Sequence, residues 1–304
     1  MPESLSYVVI TPARNEAERI EQTIQAMLQQ TVPPLRWIIA SDGSTDSTDA
    51  IVTRYTEQIP WIRLARMPER AERHFAGKAQ SFNSVLASIQ ELPYQAVACM
   101  DADVCIAPDY YAFLLDKLVS NDMLGVVGTP FRELSGEVYD YRYVSVINID
   151  GKCQLFRRSC MEQIGGYVLS MGGNIDTIAC LSARAKGWKT RVFPERIGTH
   201  LRQTGTARRG LLGARFNEGM RDYLIGNHPV WQLLRMAYQM KLKPYFLRGA
   251  AIELGYIWSA LHRVERPISA ELIALRRREQ MHHLADLVWK KCRPHAARKT
   301  RHED

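Results

Sequence analysis

The chain has 304 residues, 46% hydrophobic and 24% charged, which is ordinary for a globular protein able to bury a large core in one or two domains. Its net charge of +8 is unevenly placed: Gly205 to Asp304 carries 19 Lys+Arg against 9 Asp+Glu, or +10, and Met1 to Thr204 carries 21 against 23, or −2. The six cysteines form no Cys-x-x-Cys pair, which argues against a zinc site and for free thiols in a reducing compartment.

In chain order, Tyr7-Val8-Val9-Ile10 reads as a strand. Glu16 to Gln29 follows with Ile20, Ile24, Met27 and Leu28 at helical spacing. Trp37 to Ala40 is a second strand. Ser44-Thr45-Asp46 is placed to cap a helix running through Ala50, Ile51 and Tyr55. Ile62 to Ala65 is a third strand, and Gly77 to Ile89 a helix. Ala96 to Met100 is a fourth strand, Pro108 opens another helix, and Leu124 to Val127 is a fifth strand. This alternation predicts an α/β fold with a mostly parallel sheet flanked by helices on both faces. Further on, Gln154 to Phe156 is a strand candidate before Gly165-Gly166-Tyr167. A helix begins near Asp176, and Val192-Phe193 is a short strand. From Leu211 the chain reads as helical, with amphipathic stretches at Tyr223 to Tyr238 and Gly249 to Leu261 and a charged helix at Glu271 to Lys290. The expected organisation is an α/β domain over 1–204 and a basic, amphipathic helical C-terminal region over 205–304.

Met1-Pro2-Glu3-Ser4 lacks the basic region of a secretory signal. The most apolar long stretch, Pro244 to Leu261, contains Arg248 and Glu253, so no membrane-spanning helix is expected. A cytoplasmic protein follows from these readings. The basic, Trp- and Tyr-rich C-terminal helices point to peripheral contact with an anionic membrane surface.

The chemistry-bearing feature is Asp101-Ala102-Asp103 at the end of the fourth strand. Open α/β sheets bind ligands at the carboxyl ends of their strands. Side chains two apart in an extended chain share a face, so both carboxylates can meet one hard cation that grips a diphosphate. Taken alone, the pair reads equally well as an acidic turn. No Gly-x-Gly-x-x-Gly follows the first strand, and Gly77-Lys78 lacks the upstream glycine of a P-loop.

Three further segments stand in loops that follow strands or open helices: Ile10-Thr11-Pro12-Ala13-Arg14-Asn15-Glu16, Ser41-Asp42-Gly43-Ser44-Thr45-Asp46 and Gly77-Lys78-Ala79-Gln80-Ser81-Phe82-Asn83. With Asp101-Ala102-Asp103, then Gly165-Gly166-Tyr167 and an acidic residue ten positions after Gly166, this order resembles family 2 glycosyltransferases. The resemblance covers Ser6 to about His200. It implies the GT-A fold, with a Rossmann-like nucleotide-binding half.

By that resemblance, Asp42 accepts a hydrogen bond from the nucleobase, typically uracil, and the loop at Pro12 and Asn15 walls the base pocket. Lys78 offsets phosphate charge. Asp103 holds Mn²⁺ or Mg²⁺ and Asp101 contacts ribose or sugar. Asp176 is the general base of an inverting transfer. His200 matches a third metal ligand. Read from the residues alone, Gln203, Arg208 and Arg209 lie in a stretch that either closes over the diphosphate or is an ordinary basic loop. Read from the residues themselves, Asp42 and Asp176 also suit helix or turn caps, and His200 an ordinary histidine.

The chain departs from the family in three places. Ser41-Asp42 stands where two aspartates are frequent, Ile175 stands where an acidic residue often precedes the base, and the Gln-x-x-Arg-Trp motif of processive synthases is absent. The implied activity is metal-dependent transfer of a single sugar from a nucleotide-diphosphate sugar, a UDP-sugar, to a hydroxyl of a glycan or lipid-linked acceptor in cell-envelope or exopolysaccharide synthesis. Its partners are that donor and acceptor, with no nucleic acid. Acceptor contacts are expected from Tyr139 to Lys152 and Gly165 to Asn174. The competing readings are a sugar nucleotidyltransferase, for which the first loop is poor in glycine, and a non-catalytic nucleotide-sugar-binding scaffold.

Overall fold

The computed structural model describes residues 5–68, 76–133, 146–202 and 210–292. It divides into two compact units, Met1–Thr206 and Ala207–Asp304.

In the first unit, β1 (Tyr7–Ala13), α1 (Ile20–Leu28), β2 (Arg36–Ser41), α2 (Thr48–Gln58), β3 (Ile62–Arg66), α3 (Ala76–Ser88) and β4 (Ala96–Met100) alternate as the apolar runs predict. Then come β5 (Val104–Cys105), α4 (Tyr110–Ser120), β6 (Leu124–Gly128), β7 (Phe131–Glu133), β8 (Cys153–Arg157), α5 (Arg158–Ile164), α6 (Ile175–Ala185), β9 (Lys189–Val192) and β10 (Gly198–His200). Seven strands form the main sheet in the order β3-β2-β1-β4-β8-β6-β9. Neighbours from β3 to β4 are parallel, while β8 runs antiparallel to both β4 and β6.

The central strands are apolar throughout because helices cover both faces. Alternate residues of β1 divide between two cores. Tyr7 and Val9 join Ile20, Ile24, Met27 and Leu114 on one face; Val8 and Ile10 join Phe82, Val85 and Ala179 on the other. Buried polar groups find partners here: Trp37 Nε1 donates to Thr11 Oγ1 at 2.9 Å, and Tyr167 OH to Gln154 Oε1 at 2.7 Å.

Two expectations change. The first strand was read as ending at Ile10, with Pro12 in the loop; β1 continues through Pro12, paired with Ala40 of β2. Pairing with β4 stops at Ile10 opposite Cys99, so Pro12 lies where β1 has a neighbour on one side only and its missing N–H is tolerated. The second change is a small sheet, β5-β10-β7, that no periodicity announced. Strands of two or three residues are too short to show an alternation.

The second unit holds α7 (Leu211–Leu224), α8 (Pro229–Gln239), α9 (Leu247–Leu261) and α10 (Ala270–Cys292). The amphipathic stretch Tyr223 to Tyr238 runs from the end of α7 across a turn into α8. Gly226 turns with φ 74°, His228 accepts from the Val230 amide at 3.2 Å, and Pro229 opens α8. A Cβ on Gly219 would sit 1.8 Å from the Ile252 carbonyl oxygen, and one on Gly255 1.9 Å from that of Phe216. Thus α7 and α9 touch backbone to backbone. No helix among the described residues is long and apolar enough to cross a membrane.

Candidate active site

The loops after β1 and β2 are tied into one surface by side chains. Asn15, at φ 56°, accepts from the Thr45 amide at 2.7 Å through Oδ1, and its own amide donates to Ser44 Oγ at 3.2 Å. Asp46 accepts from the Ala17 amide at 3.0 Å and from the Thr48 amide at 3.0 Å. Asn15 therefore ties the loop after β1 to the loop after β2. The Asp42 amide donates to the Ala13 carbonyl at 2.8 Å, which sets that carboxylate at the carboxyl ends of β1 and β2; its residue is 8% exposed.

Asp101 and Asp103 follow β4, but the segment between them turns instead of extending. The two carboxylates consequently face different partners, contrary to the expectation of one shared extended face. Asp101 pairs with Lys78 from the first turn of α3, and its amide donates to the Lys152 carbonyl at 2.8 Å. Lys78 Nζ also donates to the Gly151 carbonyl at 2.7 Å. Burial works against the Lys78 charge, and the Asp101 carboxylate outweighs it, so the ammonium is held protonated.

Asp103 is 7% exposed and faces the small sheet. His200 Nε2 lies 3.5 Å from its Oδ2, and Arg202 Nε 3.4 Å from the same oxygen. Pairing of β10 with β7 sets His200 opposite Glu133, whose carboxylate meets His200 Nδ1 at 3.0 Å. Glu133 is in turn 3.5 Å from Lys152 Nζ, which also bonds Asp150 at 2.8 Å. Burial would push the Asp103 carboxyl up, but the His200 hydrogen bond and the Arg202 charge hold it below its ordinary value. His200 moves the other way: burial lowers it, and bonds to Asp103 and Glu133 raise it overall.

Asp176 lies one residue into α6, after Asn174 at the helix N-cap in the left-handed region (φ 58°). Its Oδ2 accepts from the Gly151 amide at 3.1 Å. The peptide of Gly151 thus donates to Asp176 and accepts from Lys78, joining the expected base to the lysine–Asp101 pair. Burial, then the Asp150 charge, pushes the Asp176 carboxyl up, the direction a general base requires. The Gly165-Gly166-Tyr167 segment is clamped to α3. Asn83 accepts from the Tyr167 amide at 2.9 Å and donates to its carbonyl at 2.8 Å, and Gly166 at φ 91° leaves room for that side chain.

Glu133 and Arg202 went unremarked in the sequence, and Asp150 and Lys152 were covered only as the end of the stretch Tyr139 to Lys152 expected to contact the acceptor. Their signal was faint. Glu133 ends a short segment after the fifth strand, Asp150 and Lys152 flank a glycine before β8, and Arg202 follows His200 by two. Gln203, Arg208, Arg209 and the part of the expected acceptor stretch from Tyr139 to Ser145 lie outside the described residues.

Among the described residues no three His, Cys, Asp or Glu side chains converge to hold a metal ion. Two do approach each other, Asp103 and His200, offering a carboxylate oxygen and an imidazole nitrogen. The other ring nitrogen is bonded to Glu133, the arrangement that orients a ligating histidine. This donor set suits a divalent cation whose remaining positions are filled by phosphate oxygens and water.

A mostly parallel sheet covered on both faces, with carboxylates and a lysine gathered at its strand ends, is the plan of an α/β protein that binds its ligand at the carboxyl edge of the sheet. The profile of Glycosyl transferase family 2 matches residues 8–173, more than half of the 304, and the chain belongs to that family; it is a glycosyltransferase. It is 26% identical over 202 residues to a poly-beta-1,6-N-acetyl-D-glucosamine synthase of Staphylococcus epidermidis, a match covering 60% of this chain and 45% of that one. The enzyme of the same name from Staphylococcus aureus (strain COL) is 27% identical over the same length. The chain therefore spans less than half the length of these relatives.

Among solved structures, the mannosyltransferase PcManGT of Pyrobaculum calidifontis in complex with GDP-Man and Mn²⁺ superposes with a TM-score of 0.59 at 19% identity, over 95% of this chain and 81% of that one. Residues 1–349 of S. aureus TarS in complex with UDP-GlcNAc give 0.56 at 12% identity, over 83% and 72%. The fold is GT-A, as the resemblance implied.

Proposed function

We propose that the chain is an inverting, cation-dependent glycosyltransferase. It moves one sugar from a nucleoside-diphosphate sugar, a UDP-sugar, to a hydroxyl of a glycan or lipid-linked acceptor in cell-envelope or exopolysaccharide synthesis. The observation that carries this reading is the Gly151 peptide bonded on one side to Asp176 and on the other to Lys78. It sets a carboxylate with a raised pKa beside a cation suited to phosphate.

Asp42, an acceptor-only carboxylate, receives the imide N–H of the base. Pro12 and Asn15 shape the wall of that pocket. Lys78 draws the diphosphate to the strand ends, and Asp101 holds the lysine there while contacting ribose or sugar. Asp103 and His200 hold Mn²⁺ or Mg²⁺, with Glu133 fixing the imidazole. When bound, the cation offsets the charge of the departing nucleoside diphosphate. Asp176 takes the proton from the acceptor hydroxyl as it attacks the anomeric carbon from the face opposite the leaving group. In the cell the enzyme works in the cytoplasm, peripherally on the inner face of an anionic membrane that presents the acceptor. The relatives' synthase activity and the bound molecules of the two solved neighbours support the donor and acceptor classes.

The test is a panel of UDP- and GDP-sugars assayed for release of nucleoside diphosphate with and without Mn²⁺. Cation-dependent turnover that Asp103→Ala abolishes is expected. Wild-type turnover in Asp103→Ala, or release of pyrophosphate, would overturn the reading.

A further inference from the structure

The helix α9 is apolar on two opposite sides. Gly249, Ile252, Gly255, Tyr256 and Ser259 are buried within its own unit. Leu247, Leu254, Ile257, Trp258 and Leu261 are exposed. At about 100° per residue these five fall within one stripe roughly opposite the buried set. A helix that is apolar all round normally has a second partner.

The stripe continues into the turn that joins α8 to α9. Leu242, Tyr245 and Phe246 are exposed there, Phe246 most of all at 72%. Phe246 also sits at φ 59°, a region that a bulky side chain seldom adopts. An aromatic ring held outward at such a backbone is a feature to explain by function. Lys241 and Lys243 are exposed beside it, and His262 and Arg263 are exposed at the far end of α9. From Tyr238 to Val264 there are four Lys+Arg and one acidic residue, Glu253.

We infer that the α8–α9 turn and the outer stripe of α9 form a docking surface for an anionic lipid bilayer. The helix lies in the headgroup plane with Phe246 and Trp258 entering the acyl boundary. Three observations favour lipid over a second copy of the chain. Basic residues at both ends of the stripe match anionic headgroups, whereas in a two-fold dimer they would be stacked like on like or left idle. Aromatic residues beside lysines suit the membrane interface. At 15 residues α9 is too short to span a bilayer but long enough to lie on one. The inference rests on the proposed membrane-presented acceptor only for its purpose; the surface itself stands on α8 and α9.

The experiment is co-sedimentation of the full chain with phosphatidylcholine vesicles and with vesicles that also contain phosphatidylglycerol. Binding to the anionic vesicles, weakening with salt, is expected. Lys241→Glu with Lys243→Glu should lower vesicle partitioning by about tenfold or more, and Phe246→Ser by about tenfold. Adding vesicles should shift wild-type tryptophan emission to the blue, and Trp258→Phe, a conservative change, should remove most of that shift.

No wild-type binding to anionic vesicles at low salt would overturn the surface. So would unchanged binding of Phe246→Ser combined with Leu254→Ser, or a wild-type dimer that Leu254→Ser converts to monomer. A nucleotide-sugar thermal shift in vesicle-free solution checks folding of each variant and reads the active site separately. A donor shift without vesicle binding removes this surface and the membrane location but leaves the sugar transfer standing, and vesicle binding without a donor shift or turnover removes the sugar transfer alone.

Discussion

The two units distribute polarity in opposite ways. In the first, fully buried Val, Ile and aromatic residues fill both faces of the sheet, and the charges gather at the strand ends. In the second, the buried residues include Asp222, Asn227, Gln232, Ser259 and Gln280. Asn227 accepts from Arg276 Nε and from Gln280 Nε2, both at 2.8 Å, while Tyr256 donates to its carbonyl at 2.8 Å. Arg235 pairs with Glu218 and, at 2.9 Å, with Asp222. The large apolar side chains turn outward instead. Among the described residues, 14 of the 20 exposed large hydrophobics lie between Leu212 and Met281. The first unit is held mainly by apolar burial; in the second, glycine contacts and hydrogen bonds join a smaller buried apolar set that includes Ile225, Ile252 and Ile268. Small residues and polar bonds between helices are how helices cohere where burial of oil does not drive them together.

Five measurements would break or sharpen this contrast. The largest effect belongs to the charged rim. Asp176→Asn should lower kcat by about 10²–10⁴-fold while donor binding by thermal shift and the unfolding midpoint stay near wild type. A matching loss of stability would make Asp176 a structural residue. Next is the oily core of the first unit, where Phe82→Ala, at a site 0% exposed, should cost about 3–5 kcal/mol in denaturant unfolding. Gly255→Ala comes third. Its methyl would press on the Phe216 carbonyl, and α7 and α9 should separate at a cost of about 1–3 kcal/mol, with donor binding retained.

The fourth is a pH effect in the second unit. Burial would raise the Glu218 carboxyl, but the Arg235 and Arg215 charges hold it below its ordinary value. Its stabilisation is complete above the unfolded glutamate pKa and fades as pH falls through the lower, folded one. Buried Asp222, pushed up, runs the opposite way. Glu218→Gln should therefore flatten the acid limb of a stability-against-pH curve, and an unchanged limb would deny the pair a role. The smallest effect is on the outer stripe: Leu254→Ser, at a side chain with no packing partner to lose, should shift the midpoint by no more than about 0.5 kcal/mol. A loss like that of Phe82→Ala would mean the stripe is part of the core.

Much of this was legible before any coordinates. Apolar runs such as Ala96 to Met100 mark buried strands because a strand covered on both sides has no polar face to show. Motif spacing placed Asp42, Lys78, Asp101 and Asp103 at strand ends and helix starts, since a parallel βα repeat returns each loop to the same edge. The alternation along β1 even divides the two cores. The break between α7 and α8 is written in Gly226 and Pro229, a turn-former and a helix-opener.

Partners distant in sequence were not legible. Glu133 meets His200, 67 residues away, through a small sheet whose strands are too short to leave a pattern. Gly151 links Asp176 to Lys78 by its backbone, which carries no side-chain signature. The same limit separates the two sides of α9: both are apolar in sequence, and only packing against α7 shows which is buried. Residue type and spacing are local and fixed the fold class and the ends of the strands. Which carboxylate faces which cation depends on a turn at Ala102 and a register between distant strands, and those are set by the packed chain.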